Sequence, residues 1–331
     1  MGQDKKKKKV TILIPCYNEE ESLGPLYEAL KNLMDGNTAY DWEILMVNDG
    51  SKDRTMDMIK SLRAIDKRVG YINLSRNFGK ENAMLAGFDH TSGDCTVIMD
   101  ADLQHPPHIV PLMLEKWEEG YQDVYGKRLT RGKEPWWRRQ FSLAFYRMLQ
   151  KSARYDILPN VGDFRLLDKS CIAVLRQLRE SERYTKGMYA WIGFKKCGID
   201  FETQDRVGGE SHMSLWSLLH LAIEGITSFT VAPLKWSAVI GFLVSISAFV
   251  FMCYTLINTW IYDDPVQGYP TLMTIILFLG GVQLISLGII GEYLGKIFNE
   301  SKNRPVYVAA EVETDGFSLT EIANKATTHE K

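Results

Sequence analysis

Short apolar runs alternate with amphipathic segments over the first hundred residues of the chain. The runs cover residues 10–15, 42–47, 69–74 and 96–99. Each is rich in β-branched residues, as in strands buried on both faces, and the segments between them carry apolar positions at helical spacing. This alternation predicts an α/β fold with a doubly wound, mostly parallel sheet.

Polar side chains stand directly after these apolar runs. They are Asn18, Glu19, Asp49, Lys80, Asp100 and Asp102. Ligands of such sheets bind beyond the carboxyl ends of the strands, so we expect these residues to line one site. The spacing of Asp100 and Asp102 suits a divalent cation that holds a diphosphate. Taken alone, such a triplet is equally well interpreted as a solvated turn.

Several functional classes are disfavoured by the sequence. A Gly-x-Gly-x-x-Gly fingerprint, a phosphate loop ending in Gly-Lys-Ser/Thr and a Gly-x-Ser-x-Gly elbow are all missing, which argues against a dinucleotide oxidoreductase, an ATPase and a serine hydrolase. The formal net charge of −2 argues against a nucleic-acid partner. The five cysteines are scattered, which indicates a reducing compartment and offers no zinc site.

Two long uncharged stretches follow the α/β region. Residues 236–261 and 269–291 are each long enough to cross the hydrocarbon core of a membrane. The basic residues nearest to them all flank the outer ends: Lys235, Lys296, Lys302 and Arg304. The positive-inside rule therefore predicts a multi-pass protein of the inner (cytoplasmic) membrane, with its main domain and both termini in the cytoplasm. A buried helical hairpin of a soluble protein is the alternative.

Other segments suggest contact with the membrane surface. Residues 134–150 combine basic side chains with tryptophans and an apolar face, which predicts an amphipathic helix that guides a lipid phosphate inward. An ordinary surface helix is the alternative. A second amphipathic helix is expected at 213–230. The basic tail, 1–9, is interpreted as solvated or as attracted to anionic lipid. The tail 299–331 is expected to be cytosolic, and polar and mobile beyond Val308.

Four motifs, at residues 14–19, 47–51, 74–79 and 100–107, resemble those of family 2 glycosyltransferases of the GT-A fold. More narrowly, they resemble the polyprenyl-phosphate glycosyltransferases, a group that includes bactoprenol glucosyltransferases and dolichol-phosphate mannose synthase. The resemblance covers about residues 10–308. It implies a cytosolic GT-A domain at 10–230, a transmembrane hairpin at 231–298 and assembly into a homo-tetramer.

The resemblance also implies roles for single residues. Asp102, with Gln104 and Asp100, would ligate Mg²⁺ or Mn²⁺, which stabilises the departing nucleoside diphosphate. The nucleotide would be bound by Pro15, Tyr17, Asn18, Glu19, Asp49, Lys80 and Asp100. The acceptor phosphate would be bound by Arg128, Arg138, Arg139 and Arg206. In the loop around Arg206, His212 and Met213 replace the Lys and Tyr usual in the family, which weakens any case for a lysine contact there.

Asp163 of the Gly-Asp-Phe-Arg segment would be catalytic on the acceptor side of the sugar, by the same resemblance. It could act as a general base or as a positioner. A positioner is favoured because a lipid phosphate is already largely ionised at neutral pH. An ion pair between Asp163 and Arg165 within a turn is the structural alternative.

The sequence therefore predicts inverting, metal-dependent transfer of a sugar, with UDP-glucose as the best guess for the donor, to polyprenyl (undecaprenyl) phosphate at the cytoplasmic leaflet. GDP-mannose is an alternative donor. A processive polysaccharide synthase is a second alternative, but the chain lacks the Gln-x-x-Arg-Trp motif and the additional spans of that class. A membrane-anchored nucleotide-sugar binding protein without turnover is the third.

Overall fold

The computed structural model describes residues 7–129, 161–181, 183–202, 232–262, 268–314 and 317–318. The chain divides into two compact units, one of residues 1–150, 154–214 and 305–331 and one of residues 151–153 and 215–304. The predicted helices at 134–150 and 213–230 lie outside the described residues. The same holds for Arg138, Arg139 and Arg206.

The described part of the first unit contains one nine-stranded sheet. In chain order, the strands are β1 (Lys9–Cys16), β2 (Asp41–Asn48), β3 (Val69–Leu74), β4 (Cys95–Ile98), β5 (Asp123–Arg128), β6 (Val161–Asp168), β7 (Lys196–Phe201), β8 (Ala309–Thr314) and β9 (Phe317–Ser318). Their order across the sheet is β7-β5-β6-β4-β1-β2-β3-β8-β9.

Helices cover the sheet or form the second unit. Those of the first unit are α1 (Leu23–Gly36), α2 (Thr55–Ile65), α3 (Lys80–His90), α4 (Val110–Glu118), α5 (Lys169–Leu175) and α6 (Thr185–Trp191), with a short 3-10 helix at Pro107–Ile109. Those of the second unit are α7 (Ala232–Tyr262) and α8 (Tyr269–Ser301).

The central strands confirm the predicted parallel sheet. β1 pairs in parallel with β2 and β4, and β2 pairs in parallel with β3. Neighbouring residues of β1 enter different cores, because side chains alternate between the faces of a strand. Ile12 lies in one core with Leu26 of α1, and Leu13 lies in the other with Met84 of α3. Helices therefore cover both faces, as in a doubly wound fold.

One antiparallel strand brings the second half of the domain to the parallel part. β6 lies between β4 and β5 and pairs antiparallel with both. Its register places Arg165 opposite Ile98, the last residue of β4. Continued by two residues, this antiparallel register brings Asp163, two residues before Arg165, to the side of Asp100, two residues after Ile98. The sheet thus joins two segments that are more than sixty residues apart in the sequence.

The prediction of a mobile tail beyond Val308 is wrong for residues 309–314. They form β8, which pairs antiparallel with β3. The Tyr71 hydroxyl donates to Glu311 Oε1 at 2.8 Å, and Lys60 Nζ lies 2.8 Å from Glu311 Oε2. The apolar residue Val312 is 5% exposed within the core. The sequence of this segment is polar, but an open edge of β3 supplies backbone partners that the pattern alone does not reveal.

Val312→Ala is expected to lower the free energy of unfolding by about 1–2 kcal/mol, because it removes buried methyl groups and leaves a cavity. Urea unfolding of the detergent-solubilised protein measures this loss. Val308→Ala is the matched control, since Val308 is 48% exposed. Equal stability of the two variants would mean that β8 does not pack on the core.

The second unit is a pair of long helices. α7 has 31 residues and α8 has 33. The hydroxyls of Ser237 and Ser286 join them at 2.9 Å. Within the described residues, one stretch, Phe278–Ser301, is long and apolar enough to cross a membrane, and Ser237–Phe251 is a shorter apolar helix. The two predicted spans coincide with α7 and α8, and their crossing of a membrane stays a prediction.

Candidate active site

A cavity of about 270 Å³ lies at the carboxyl ends of β1, β2 and β4 and at the start of α3. The predicted nucleotide-binding and metal-binding residues that line it are Pro15, Tyr17, Glu19, Asp49, Lys80, Asp100 and Asp102. The sequence prediction missed Cys16, Asn77, Gly79, Ala83 and Ala101, which complete the lining. Four of these residues lie within the motifs at 14–19, 74–79 and 100–107, but a motif does not show which of its residues face a cavity.

Asp49 organises the wall of this cavity. It is 3% exposed, and its carboxylate accepts hydrogen bonds from the backbone N–H groups of Phe78 at 2.7 Å and Gly79 at 2.9 Å. Burial raises the pKa of Asp49, although these two hydrogen bonds act in the opposite direction. A Cβ on the next residue, Gly50, would lie 2.4 Å from the carbonyl carbon of Arg76. The motifs at 47–51 and 74–79 therefore form one packed wall.

Asn18 holds a neighbouring loop and does not line the cavity. Its backbone has a φ of 55°, which asparagine tolerates better than most residues. Its Oδ1 accepts from the backbone N–H of Lys52 at 2.9 Å, and its own N–H donates to Ser51 Oγ at 3.0 Å. The turn at Asn18 thus fixes the loop after β2 beside the cavity.

Lys80 bridges two carboxylates that come from different strands. Its Nζ lies 2.5 Å from Asp100 Oδ1 and 3.3 Å from Asp163 Oδ2. Burial by itself would lower the pKa of Lys80, but the two carboxylates outweigh burial and raise it. Burial would likewise raise the pKa of Asp100, but Lys80 outweighs it and lowers this pKa. Lys80 and Asp100 are therefore expected to carry charge at neutral pH.

Asp163 does not pair with Arg165, which overturns the alternative of a local turn. Arg165 Nη1 instead lies 3.1 and 3.0 Å from the two carboxylate oxygens of Asp123, and both residues are buried. Its guanidinium also lies 3.7 Å from the ring centroid of Tyr189. Asp123 is on the neighbouring strand β5, so tertiary pairing supplies a partner that the local sequence does not contain.

The loop after β4 makes a tight turn. Leu103 has a φ of 60°, in the left-handed region that a large side chain rarely adopts. The carboxylate of Asp102 accepts from the backbone N–H of Gln104 at 3.1 Å. This turn gives the carboxylates of Asp100 and Asp102 access to the same cavity.

His105 supports this loop from beneath, a function that the sequence did not reveal. Its Nδ1 accepts from the backbone N–H of Asp100 at 3.0 Å, so the proton of the neutral ring is on Nε2, 3.8 Å from Asp100 Oδ2. The ring stacks on Phe164 of β6, with centroids 4.8 Å apart. Burial lowers the pKa of His105 although Asp100 opposes this. A neutral histidine therefore holds Asp100 against β6.

The cavity fits a cation that arrives with a diphosphate. Asp100 and Asp102 both line it, and oxygen is the ligand atom that Mg²⁺ and Mn²⁺ prefer. Among the described residues, no group of three or more His, Cys, Asp or Glu side chains could hold a metal ion. Phosphate oxygens and water complete the shell of such cations in many enzymes, so two carboxylates suffice here. Ligation by Asp102, Gln104 and Asp100 stays a prediction.

Of the four predicted acceptor-binding arginines, Arg128 is the one within the described residues. It ends β5, where it pairs in register with Phe201 of β7. Its charge contributes to lowering the pKa of Asp100. Its guanidinium therefore adds positive charge near Asp100, and its contact with an acceptor phosphate stays a prediction.

Glu81, next to Lys80 at the start of α3, was missed by the sequence prediction. Its Oε2 accepts from the backbone N–H of Thr185, the first residue of α6, at 2.9 Å. Burial and the nearby negative charge of Asp163 raise the pKa of Glu81 to about 7. A glutamate directly after a lysine in the first turn of a helix gives no signal in the sequence that it is buried.

Glu81 is expected to make the protein less stable as the pH rises from about 4.5 to about 7. In the folded protein Glu81 keeps its proton up to about pH 7, whereas in the unfolded chain it loses it near the ordinary value of 4.5. Over this interval the folded state binds more protons, so the free energy of unfolding falls by at most about 1.4 kcal/mol per pH unit.

Urea unfolding at a series of pH values tests this, and Glu81→Gln should flatten that part of the profile. Glu21→Gln is the matched control, because Glu21 is exposed. If the profiles of wild type and Glu81→Gln run parallel, Glu81 does not titrate in this range.

Two family models match the chain. Residues 11–175 match the one described as glycosyl transferase family 2, and residues 232–297 match the one described as GtrB C-terminal hairpin. The first match runs from within β1 to the end of α5 and includes every residue that lines the cavity. The second match covers most of α7 and α8.

Relatives of known sequence align over nearly the whole chain. A bactoprenol glucosyl transferase of Shigella phage SfV is 39% identical over 300 residues, which are 91% of this chain and 97% of the phage protein. An uncharacterised glycosyltransferase of Bacillus subtilis is 39% identical over 298 residues, 90% of this chain and 92% of that protein.

A likeness to a solved structure is much weaker. Glucosyl-3-phosphoglycerate synthase from Mycobacterium tuberculosis, in complex with Mn²⁺, UDP-glucose and phosphoglyceric acid, is 20% identical and covers 65% of this chain and 76% of that chain, with a TM-score of 0.42. This likeness is too low to assign ligands here. The family models and the long alignments decide the assignment: the chain is a glycosyltransferase that belongs to glycosyl transferase family 2 and carries the GtrB C-terminal hairpin.

Proposed function

We propose that this glycosyltransferase moves a sugar from a nucleotide diphosphate sugar to a polyprenyl phosphate at the cytoplasmic face of a membrane, with inversion at the anomeric carbon. The observation that carries the proposal is the Lys80 bridge between Asp100 and Asp163. This contact supports the proposal because Asp163 is the carboxylate expected on the acceptor side, and Asp100 is one of those expected to hold the metal ion of the donor diphosphate.

The nature of the acceptor is supported by two features. The hairpin of α7 and α8 is apolar and matches the GtrB hairpin model. A relative with 39% identity over 91% of the chain is named a bactoprenol glucosyl transferase, and bactoprenol is a polyprenol. The same name makes UDP-glucose our preferred donor, with GDP-mannose as the competing one.

In the proposed reaction, a phosphate oxygen of the lipid attacks the anomeric carbon while the nucleoside diphosphate leaves. Asp102, with Asp100 and Gln104, would hold Mg²⁺ or Mn²⁺, which would neutralise negative charge on the leaving group when bound. Lys80 supplies a further positive charge at the same place. The Asp163 carboxylate pairs with the Lys80 ammonium and thereby positions it. Asp163 is assigned this role and not that of a general base, because the lipid phosphate needs little activation by a base.

The first experiment measures release of nucleoside diphosphate by the detergent-purified protein. UDP-glucose, UDP-N-acetylglucosamine and GDP-mannose are each tested with Mg²⁺ or Mn²⁺, with and without undecaprenyl phosphate. Release that requires the lipid, together with a glycolipid product, supports the proposal and identifies the donor. Binding of one donor without lipid-dependent release would replace it with a nucleotide-sugar binding protein.

The location and the assembly are part of the proposal. α7 and α8 would span the inner membrane as a multi-pass hairpin, with the catalytic unit and both termini on the cytoplasmic side, where nucleotide sugars are made. Glycines at 280, 281 and 288 would allow close packing of helices in a homo-oligomer. Labelling of single cysteines introduced at the termini, and mass measurement in detergent, test these two statements separately.

A further inference from the structure

The first turn of α3 carries two charged residues that reach different parts of the site. Lys80 reaches the carboxylates of Asp100 and Asp163. Glu81 reaches the backbone of Thr185, which is 104 residues further along the chain. Consecutive residues of a helix point about 100° apart, so one helix end can contact both the donor side and the acceptor side of the site. The first contact belongs to the proposed chemistry, and the second has no assigned role.

The contact of Glu81 satisfies a donor that α6 itself cannot satisfy. Thr185 is the first residue of α6, and the N–H groups of a first helical turn lack partners within the helix. The preceding residue, Tyr184, makes no side-chain capping bond. The Glu81 carboxylate therefore acts as the cap, with its Oε2 2.9 Å from the Thr185 nitrogen.

α6 in turn packs on the strand that carries Asp163. Its Tyr189 is 1% exposed, and the ring centroid lies 3.7 Å from the guanidinium of Arg165. Arg165 and Asp163 are two residues apart on β6, so their side chains leave the same face of the sheet. Movement of α6 would therefore be transmitted to the face of β6 from which Asp163 extends.

Buried polar atoms without partners also occur in this region. Within the described residues, Asp163 Oδ1, Thr185 Oγ1 and the Tyr189 hydroxyl are buried and make no hydrogen bond. Purely structural polar clusters are normally fully paired, and exceptions concentrate where a substrate or a reacting group completes the network. The charged groups that face Glu81 here are Asp163, Lys80, Lys186 and Arg183, with the Tyr189 phenol beside them.

We propose that Glu81 is a positioning residue for sugar transfer: by holding the start of α6 against α3, it keeps Asp163 in place opposite Lys80. Glu81 contacts neither the donor nor the acceptor in this proposal. Its effect on the reaction passes through α6, Arg165 and β6. The inference rests on the proposed transfer reaction, since it assigns Glu81 to the alignment of the donor side with the acceptor side.

The test compares variants that remove either partner of the Glu81–Thr185 hydrogen bond. Glu81→Ala removes the acceptor. Thr185→Pro removes the donor and suits the site, because proline is favoured at the first position of a helix and the preceding residue, Tyr184, has a non-helical backbone, with φ −132° and ψ 87°. Thr185→Ala is the matched control for the lost Thr185 side chain, since it keeps the N–H group.

Glu81→Ala and Thr185→Pro are expected to lower kcat at least about tenfold, since each removes the partly buried hydrogen bond that joins α3 to α6. The KM for the nucleotide sugar should change by less than about twofold, because the donor side of the cavity keeps its contacts. Glu81→Gln, whose amide oxygen can still accept, should restore most of kcat, and Thr185→Ala should resemble the wild type. Wild-type kcat in both Glu81→Ala and Thr185→Pro, or a loss confined to the donor KM, would overturn the proposal.

Hydrogen exchange of the full-length protein separates this proposal from the proposed function. Glu81→Ala should speed exchange in residues 185–191 and leave exchange in α1 unchanged, whatever the acceptor of the enzyme is. Unchanged exchange in 185–191 would overturn the positioning role even if lipid-dependent transfer is observed. A different outcome is that Glu81→Ala speeds exchange but the wild-type protein shows no lipid-dependent transfer. That outcome would refute the proposed reaction, and with it the link from Glu81 to catalysis.

Discussion

Asp102→Asn is expected to lower kcat/KM for sugar transfer by roughly 100- to 1,000-fold, the largest effect of a single substitution in this protein. Asp102 follows β4 and lines the cavity beside Asp100. An amide keeps the shape of the side chain but loses the charge that a divalent cation requires. The loss should be partly relieved by raising the metal concentration, because the variant weakens metal binding and leaves the nucleotide pocket intact.

The measurement is lipid-dependent release of nucleoside diphosphate as a function of Mn²⁺ concentration. Asp200→Asn is the matched control, because Asp200 forms an exposed ion pair with Lys127, 3.7 Å apart, on the outer strand β7. Surface pairs of this kind contribute little, so activity should stay at the wild-type level. Near-normal activity of Asp102→Asn at low Mn²⁺ would remove Asp102 from the metal site.

Asp163→Asn is expected to lower kcat roughly 100-fold, with an unchanged shape of the pH–rate profile. Asp163 Oδ2 lies 3.3 Å from Lys80 Nζ, so the substitution removes one of the two charges that hold the ammonium in place. A general base would behave differently, because its loss removes the limb of the pH profile that reports its ionisation. The pH profile therefore decides between the two roles left open by the sequence.

A double-mutant cycle with Lys80→Met gives a second test of the same interaction. If Asp163 acts through Lys80, the double variant should be no less active than Lys80→Met alone, since the partner of Asp163 is already gone. Additive losses would show that Asp163 contributes independently of Lys80. In that case Asp163 would again be a candidate general base.

Much of the fold follows from the local pattern of the sequence. The β-branched runs that become β1 to β4 are short, continuous and followed by helical spacing, and this combination has few other solutions in a soluble domain. The long uncharged stretches within α7 and α8 likewise predict the helical hairpin, because ordinary helices of globular proteins are shorter. Edge strands are harder to predict: β8 is a polar segment whose pairing depends on the free edge of β3.

The candidate site likewise has features that the sequence predicts and features that it does not. Because the carboxyl ends of parallel strands meet at one edge of the sheet, residues such as Asp49, Lys80 and Asp102 could be expected to lie together from the sequence alone. The specific partner of each charged side chain could not be predicted from the sequence. Asp163 has Arg165 two residues away, yet it pairs with Lys80, while Arg165 pairs with Asp123.

The sequence by itself therefore determined the class of fold, the hairpin and the residues that gather at the carboxyl edge, because these depend on periodicity and on strand order along the chain. Only the tertiary structure decided which carboxylate pairs with which basic side chain, that His105 and Glu81 support the site, and that residues 309–314 add a strand to the sheet. The physical reason is that antiparallel insertion of β6, and the register that comes with it, joins groups distant in sequence. Pairing of buried charges depends on these distances and on burial, which local sequence does not encode.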